Sequence, residues 1–352
     1  MPHSQTNGSP ENAPLRVFFP GSEPAVRKAG KQRSEILACL DDDSNCHVVA
    51  RHALALAAIF GLPVTFAHVL ETMRNADFPA DPLEWHLHLN ECSERLDQII
   101  AEEGGRGGGI GRLLLTGSPA RQLNGWAQDH AGALLALATH SHESEGSTGL
   151  GSTVQKILER AVASLLLIPG EADGAETVTY RRLILPLDGS PQAESVLPVA
   201  VSMARAQGAE LILAHVVPKV ETIDRNLPQA GAGELCSKLM DHNEARARSY
   251  LEKLRTRLWH DGIAARAVVE IDGDPRNRLR RLAMQHNADL LVVSSHGHSN
   301  LSDVACGSVT EYLATHAPCP VLIIRPNFQI NAAEHTLEGP SLAPSGRSQL
   351  AQ

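Results

Sequence analysis

Short apolar runs alternate with longer amphipathic stretches along most of the chain. In the first half the apolar runs predict five strands, at residues 36–40, 64–69, 113–115, 133–138 and 165–168. The stretches between them predict four helices: one capped by Ser44 and ending at Phe60, one over residues 82–103, one with Ser118 as N-cap and Pro119 at its first position, and one opening at Gly151-Ser152. The predicted order is β-α-β-α-β-α-β-α-β.

The second half of the chain repeats this pattern. Asp41 and His68 are 27 residues apart, and so are Asp188 and His215, each pair marking the ends of two successive predicted strands. At an offset of 156 residues, Gly117-x-Pro119 matches Gly273-x-Pro275, His140 matches His296, Gly151-Ser152 matches Gly307-Ser308, and 165–168 matches 321–324. Anchors that recur in unchanged order indicate an internal duplication.

The duplication sets the predicted fold class and domain organisation. We predict an α/β chain with two tandem Rossmann-like domains, each a mainly parallel five-stranded sheet with helices on both faces. The domains occupy residues 34–170 and 181–326, with a linker at 171–180. Residues 1–33 and 327–352 are polar and contain Pro, Gly and Ser, so we expect a flexible leader and a flexible tail.

The last predicted strand of each half is apolar at every position. These strands are residues 165–168 (LLLI) and 321–324 (VLII), and each would be the edge of its own sheet. An uncovered apolar edge invites aggregation, whereas two such edges can cover each other. We therefore expect the two halves to pair through these strands.

The stretch from 290 to 310 predicts a phosphate cradle. A buried strand at 290–293 is followed by the small residues Ser294, Ser295 and Gly297, and Gly307-Ser308 then opens a helix. Small residues allow backbone N–H groups to approach an anion, and a helix N-terminus carries unpaired donors. The alternative is that Ser308 and Glu311 form a capping box for a helix that binds nothing.

Ligands of parallel sheets bind beyond the carboxyl ends of the strands, where the strand order reverses. Asp188, Val216 and Ser294 all lie at predicted strand ends, which places them at one edge. Asp188 followed by Gly189-Ser190 is also ordinary turn chemistry, so the aspartate alone does not define a site.

Composition excludes several classes of function. The chain has 31 Lys and Arg against 40 Asp and Glu, a net charge of −9, and aromatic residues make up 3%, so nucleic acid is not an expected partner. The first thirty residues are polar and lack the basic-then-apolar order of a signal peptide, and the longest apolar stretch, 48–70, is interrupted by Arg51, His52 and Gly61, so we expect no membrane span. Six cysteines without C-x-x-C spacing indicate a reducing cytoplasm rather than disulfides or a structural metal.

Two alternative chemistries lie within the same stretch. His296 and His298 could bind a metal, but two histidines without a third ligand nearby are more typical of a loop. Cys306 precedes a helix N-terminus that would favour a thiolate, so a redox sensor is another hypothesis, against the alternative of a small core residue. No P-loop or other nucleotide-processing motif occurs, so at most weak ATP hydrolysis is expected.

Three segments together resemble the universal stress protein (UspA-like) family. They are LILPLDGS at 183–190, AHV at 214–216 and S-x2-G-x9-G-S at 294–308. The resemblance spans 34–170 and 181–326 and implies a tandem member with two UspA-type domains. The ATP-binding branch of the family carries G-x2-G-x9-G-(S/T); here Ser294 replaces the leading glycine, adding a Cβ and a hydroxyl where the ribose and α-phosphate would lie.

The resemblance also implies a ligand and its contacts. ATP, alone or with Mg, would be bound mainly by the second domain, as part of a stress-response regulator. Asp188 would contact the ribose, Pro186 would shape the adjacent wall, and Val216 and Val293 would line the adenine slot. The phosphates would be faced by Gly297, His298, Gly307, Ser308, Val309 and Thr310, through backbone N–H groups and the two hydroxyls.

The first domain departs further from the family pattern. Ser141 stands where the family has glycine, Cys39 stands in place of Pro186, and Glu143 and Glu145 would repel a triphosphate, although Asp41 remains. We therefore expect the first domain to bind nucleotide poorly or not at all and to serve mainly as a partner of the second in an internal pseudo-dimer. Two chains could associate further as a homodimer. The alternative function is a protein-interaction module of the same fold that binds no nucleotide.

Overall fold

The computed structural model describes residues 16–18, 34–41, 45–71, 82–104, 109–130, 132–139, 150–160, 162–170, 177–218, 229–271, 273–297 and 306–330. The strands are β1 (Arg16–Phe18), β2 (Ile36–Cys39), β3 (Val64–Leu70), β4 (Gly111–Thr116), β5 (Leu134–Ala138), β6 (Ser164–Ile168), β7 (Arg182–Pro186), β8 (Glu210–Val217), β9 (Ala265–Ile271), β10 (Leu290–Ser294) and β11 (Val321–Ile324). The helices are α1 (Cys46–Phe60), α2 (Pro82–Glu103), α3 (Pro119–Asp129), α4 (Ser152–Arg160), α5 (Pro191–Glu194), α6 (Leu197–Gln207), α7 (Gln229–His260), α8 (Pro275–Gln285) and α9 (Ser308–His316).

The described strands form one sheet in the order β1-β4-β3-β2-β5-β6-β11-β10-β7-β8-β9. Strands within each half pair in parallel, and each half shows the same order of crossovers, as the duplication predicts. The predicted α/β fold with two mainly parallel five-stranded units is confirmed. The two units are joined edge to edge, so that they share one continuous sheet.

The join between the halves is the antiparallel pair β6–β11. Its register places Val321 opposite Leu167, Leu322 opposite Leu166 and Ile323 opposite Leu165. All of these side chains are buried. Each apolar edge is therefore covered by the other, as the sequence predicted.

Helices cover the sheet on both faces. Core residues of α1, α2, α6 and α7 belong to the apolar cluster on one face, and core residues of α3, α4, α8 and α9 belong to the cluster on the other. Alternate residues of a single strand join different clusters: Leu322 packs on the first face and Ile323 on the second. This double burial explains why the central strands read as continuous apolar runs rather than as alternating ones.

The structure departs from the sequence predictions near the amino terminus. Arg16–Phe18 forms β1 within the predicted flexible leader and pairs in parallel with β4, opposite residues Leu113 to Leu115. A run of three residues without a neighbouring helix carries no periodicity from which a strand could be predicted. The N-cap of α1 is Asn45, not the predicted Ser44, which lies outside the described residues, and Asn45 makes no side-chain cap bond.

Among the described helices, none combines the length and the apolar character that crossing a bilayer requires.

Candidate functional site

The strands β7 and β10 separate as they approach their carboxyl ends. Their ladder contains two pairs, Leu290 with Leu183 and Leu291 with Ile184, although β7 continues to Pro186 and β10 to Ser294. This is where the strand order of the second half reverses, because β8 and β9 lie on one side of β7 while β10 and β11 lie on the other. Such a switch point is the usual ligand position in an open parallel sheet.

A tight turn at the end of β7 holds Asp188 at this edge. The N–H of Leu187 donates to the carbonyl of Ala214 at 2.8 Å, and the N–H of Ser190 donates to Oδ1 of Asp188 at 2.9 Å. Gly189 between them has φ +83°, which favours glycine. Asp188 thus performs the turn chemistry considered from the sequence, and its carboxylate is exposed in a fixed orientation.

The backbone of Gly297 lies directly against the Asp188 carboxylate. A Cβ placed on Gly297 would be 2.6 Å from Oδ2 of Asp188, which is closer than any side chain can approach without displacing the carboxylate. The structure therefore brings together two of the predicted site residues from distant parts of the sequence. A larger residue at position 297 would therefore move the Asp188 carboxylate from this orientation.

Hydrogen bonds tie the two ends of the glycine-bearing loop to each other and to β11. The N–H of Ser295 donates to the carbonyl of Ile324 at 3.1 Å, and the N–H of Gly307 donates to the carbonyl of Ser295 at 2.8 Å. The Thr310 hydroxyl donates to the carbonyl of Ser294 at 2.9 Å. These bonds fix the start of α9 beside the end of β10.

The first domain repeats this framework. The N–H of Thr139 donates to the carbonyl of Ile168 at 2.8 Å, and the N–H of Gly151 donates to the carbonyl of Thr139 at 2.9 Å. The loop anchors are therefore a property of the duplicated fold, and they do not by themselves indicate a ligand. His140, Ser141, Glu143 and Glu145, on which the predicted loss of binding in this domain rests, lie outside the described residues.

The helix α9 begins without a side-chain cap. Gly307 is the N-cap, with extended φ −71° and ψ 151°, and Ser308 is the first helical residue and is exposed. The alternative of a Ser308–Glu311 capping box is therefore wrong, because a capping serine must precede the first helical residue. The N–H groups of the first turn keep their donor capacity for another acceptor.

Ser294 and Thr310 use their hydroxyl groups inside the protein. Ser294 donates to the carbonyl of His296, and the sole described non-glycine residue with positive φ is Asn287, so the serine at 294 carries no backbone strain. Thr310 is 7% exposed, and its hydroxyl points to Ser294. The expectation that the Thr310 hydroxyl faces the phosphates is therefore wrong, since the bond to β10 takes up its proton.

The predicted adenine and phosphate residues differ in exposure. Pro186 and Val216 are half-buried at the ends of β7 and β8, and Val293 is 3% exposed within the core of the face that α8 and α9 cover. Val309 is half-buried on the first turn of α9. His298 lies outside the described residues.

A hydrogen-bonded group on the other side of Asp188 was not predicted from the sequence. Tyr250 of α7 donates to Oε1 of Glu194 at 2.9 Å, and its ring meets that of His215 edge-on, with centroids 6.5 Å apart. Burial raises the pKa of Tyr250, and the nearby carboxylates of Glu194 and Asp188 raise it further. These contacts connect α7 to the Asp188 turn.

His215 belongs to a contact that occurs in both halves. Its Nδ1 donates to the carbonyl of Leu187 at 2.7 Å, and Nδ1 of His68 donates to the carbonyl of Leu40 at 2.8 Å. In the sequence, this repeated contact is visible as the equal spacing of aspartate and histidine in the two halves. It reflects a structural role for the histidine, which fixes the turn that carries the aspartate.

The surroundings of Cys306 and His296 bear on the two alternative chemistries at this edge. Cys306 is 6% exposed, and burial raises the pKa of its thiol to about 11 although Arg325 lowers it, so desolvation outweighs the expected effect of the helix N-terminus. His296 bonds through Nδ1 to the hydroxyl of Ser295 at 3.0 Å. Within the described residues, no group of three or more His, Cys, Asp or Glu side chains is arranged to hold a metal.

Known proteins share both the sequence pattern and the fold. A universal stress protein of Mycolicibacterium smegmatis is 24% identical over 316 residues, which cover 83% of this chain and 97% of that protein. One from Synechocystis is 27% identical over 153 residues, covering 42% of this chain and 98% of that protein. The crystal structure of a universal stress protein from Archaeoglobus fulgidus matches 83% of this chain and 96% of its own, with 15% identity and a TM-score of 0.59, which shows the fold alone.

The family model described as "Universal stress protein family" matches the chain twice, at residues 33–169 and at residues 179–325. These two matches cover more than half of the chain and coincide with the two halves of the sheet. The chain therefore belongs to the universal stress protein family, as a tandem member with two such domains.

Proposed function

We propose that this protein is a stress-response regulator that binds ATP at the carboxyl-end edge of its second domain. The observation that carries the proposal is the contact between Asp188 and Gly297, where a Cβ would come within 2.6 Å of the carboxylate. A glycine so placed brings backbone N–H groups and an oriented carboxylate to one opening. A nucleoside phosphate needs both kinds of group, acceptors for its sugar hydroxyls and donors for its phosphates.

Each part of the nucleotide has a matching surface in this proposal. The exposed Asp188 accepts hydrogen bonds from the ribose hydroxyls, beside the wall formed by Pro186. Val216 and the carboxyl end of β10 at Val293 line the adenine side. The N–H groups of Gly297, Ser308 and Val309 donate to the phosphates, helped by the dipole of α9, whereas the N–H of Gly307 is already bonded to the carbonyl of Ser295.

The contacts of Asp188 suggest how binding would be reported to a partner. Ser190 caps α5, and Glu194 of that helix accepts the hydrogen bond of Tyr250 in α7. A ligand that shifts the Asp188 turn therefore acts on a 32-residue helix. We propose that α7 transmits nucleotide occupancy to the regulated partner.

The proposal includes weak ATP hydrolysis at most, and magnesium enters it as the counter-ion of ATP. The described residues offer no carboxylate cluster that could hold the ion independently of phosphate oxygens. All six cysteines are free thiols. We propose a cytoplasmic protein on that basis, because free thiols persist in a reducing compartment. Self-association of two chains is a further part of the proposal.

A protein-interaction module that binds no nucleotide is the rival proposal. The observation in its favour is that the loop satisfies several of its own polar groups: Thr310 bonds to Ser294, and Ser294 bonds to His296. A loop held in this way could serve purely as structure.

A thermal-shift titration with ATP separates the two proposals. We expect ATP to raise the melting temperature of the wild type and to have no effect on Gly297→Ala, because the new Cβ displaces the Asp188 carboxylate. A matched control is Gly125→Ala in α3, where an added Cβ meets nothing within 4 Å. The control should respond to ATP as the wild type does.

Equal responses to ATP in the wild type and in Gly297→Ala would rule out binding at this site. Absence of any response in the wild type would favour the interaction module. Mass spectrometry of the ligand released when the purified protein is denatured would show which adenine nucleotide is retained.

A further inference from the structure

Arg325 is a buried cation with two unpartnered donors. Its side chain is 9% exposed, and within the described part of the chain neither Nε nor Nη2 has a hydrogen-bond partner. Burial lowers the pKa of Arg325, which reflects the cost of holding the charge there. A buried donor of a charged group is costly unless a partner satisfies it, so a ligand oxygen is the expected partner.

The position of Arg325 places its charge at the start of α9. It directly follows β11, whose last carbonyl, that of Ile324, accepts the N–H of Ser295. Alternation along β11 puts Arg325 on the face where Ile323 packs with Cys306. The guanidinium lowers the pKa of the Cys306 thiol, so the two groups are close, and Cys306 immediately precedes the N-cap Gly307.

The two unpartnered nitrogens are suited to an oxyanion. Nε and one terminal nitrogen of a guanidinium present two parallel N–H groups, which match two oxygens of a phosphate or carboxylate. The carboxylate of Glu311 in α9 is close enough to raise the pKa of the Cys306 thiol, but it makes no hydrogen bond to Nε or Nη2 of Arg325. The N–H groups of the first turn of α9 would face the same anion.

The first domain has no counterpart of this cation. At the offset that relates the two halves, Pro169 corresponds to Arg325 and Leu150 corresponds to Cys306. The arginine therefore occurs in the half whose loop keeps Gly297, and it is missing from the half where Ser141 replaces that glycine. If Arg325 served only to join the two halves, it would not have to occur in the half that has the glycine loop.

We propose that Arg325 binds the phosphate chain of the nucleotide, with Nε and Nη2 donating to oxygens of one phosphate at the N-terminus of α9. This inference rests on the proposed function, and it gives the second domain a cationic side chain that binds phosphate. It also explains why a costly buried charge is kept.

Isothermal titration of the full-length protein with ATP, adenosine and inorganic tripolyphosphate tests this assignment. For Arg325→Met we expect the Kd for ATP to rise about ten- to hundred-fold, as the loss of charge-assisted hydrogen bonds predicts, with the Kd for adenosine unchanged within about twofold. Tripolyphosphate binding should weaken in parallel with ATP binding. Arg325→Lys keeps the charge without the paired donors, so its Kd for ATP should lie between those of the wild type and Arg325→Met. This variant provides the test if Arg325→Met does not fold.

A matched control is Arg182→Met. Arg182 also has a buried Nε without a partner, but it lies at the first residue of β7, the end of the strand opposite to the site. This variant should keep the wild-type preference for ATP over adenosine. The melting temperature of ligand-free Arg325→Met should equal or exceed that of the wild type, because an uncompensated buried charge has been removed.

The outcomes separate this inference from the proposed function. If the wild type binds ATP and Arg325→Met binds it equally well, the inference is overturned while the nucleotide site stands. If the wild type does not bind ATP, the proposed function fails first; tripolyphosphate binding that depends on Arg325 would then support a site for free phosphate. If tripolyphosphate binds equally well to the wild type and to Arg325→Met, Arg325 binds neither the phosphates of a nucleotide nor free phosphate, and the inference is overturned.

Discussion

Tyr180 and His52 form a buried hydrogen bond of 2.7 Å between the hydroxyl and Nδ1. Tyr180 precedes the first strand of the second domain, and His52 lies in α1 of the first domain. The side chains are 1% and 7% exposed. The pair therefore connects the segment between the domains to the core of the first domain. Because both side chains are buried, water cannot solvate a protonated His52.

The buried His52 predicts acid sensitivity. Burial lowers the pKa of His52 from 6.5 to about 4, so between these values the unfolded chain takes up a proton that the folded protein does not. The free energy of unfolding should therefore fall as the pH drops from 6.5 towards 4, by up to about 1.4 kcal/mol per pH unit from this group. Urea denaturation at several pH values measures the slope.

The variant His52→Gln should reduce that slope, because glutamine does not titrate. His86→Gln on the exposed surface of α2 is the control and should keep the slope of the wild type. The prediction fails if the wild type and His52→Gln lose stability in parallel over this range.

Substitutions of Asp188 should separate its turn role from its proposed ligand role. Asp188→Asn keeps an acceptor for the N–H of Ser190 but loses the charge beside Gly297, so we expect near wild-type stability and at least about tenfold weaker ATP binding. Asp188→Ala should lose ATP binding and also about 1 kcal/mol of stability. Chemical denaturation and isothermal titration measure the two effects.

Asp274 offers a matched control, because its Oδ1 accepts the N–H of Arg276 at 3.0 Å in a similar turn before α8. Asp274→Ala should lower stability by a similar amount and leave the Kd for ATP unchanged. Wild-type ATP affinity in Asp188→Ala would contradict the proposed ribose contact.

Ser294→Gly should strengthen ATP binding several-fold. The substitution restores the leading glycine of the family pattern and removes a hydroxyl that donates to the carbonyl of His296. The backbone of Ser294 is not strained, so relief of strain cannot raise the affinity for ATP. The higher affinity must come from the space that the side chain occupied and from the carbonyl of His296, which no longer accepts its hydrogen bond. The Kd for ATP, measured by titration, gives the result.

Ser294→Ala separates the two contributions, because it removes the hydroxyl and keeps the Cβ. An affinity equal to that of Ser294→Gly would assign the effect to the hydroxyl, and a wild-type affinity would assign it to the Cβ. A glycine variant that binds ATP no better than the wild type would show that the serine does not limit binding.

The β6–β11 join predicts coupling between Leu166 and Leu322, which are opposite each other in the ladder. Each single substitution to alanine should cost about 2–5 kcal/mol of unfolding free energy, because both side chains are fully buried. The double variant should cost measurably less than the two single costs together, by at least about 0.5 kcal/mol, because the pair shares one contact.

Leu166 and Leu211 form the control pair. Leu211 is equally buried but lies in β8, four strands from β6. The losses of unfolding free energy caused by Leu166→Ala and Leu211→Ala should therefore add in the double variant, within about 0.5 kcal/mol. Additivity in the Leu166–Leu322 cycle as well would show that these two side chains stabilise the protein independently, against the predicted coupling.

The sequence by itself determined the duplicated α/β fold and the way in which its halves meet. Strand and helix periods, the recurring Asp41–His68 and Asp188–His215 spacing and the apolar runs at 165–168 and 321–324 are local patterns, and they are strong because each is repeated. The same patterns placed Asp188 and Gly297 at one edge, since the carboxyl ends of parallel strands always meet there.

The tertiary structure decided what each side chain at that edge can do. The Thr310 hydroxyl bonds to β10, Cys306 is buried as a neutral thiol, and Nε and Nη2 of Arg325 are buried without a partner among the described residues. None of this follows from local pattern, because desolvation and hydrogen-bond partners depend on elements that are far away in the sequence. For the same reason the three-residue β1 and the buried His52–Tyr180 pair become visible only when their distant partners are in place.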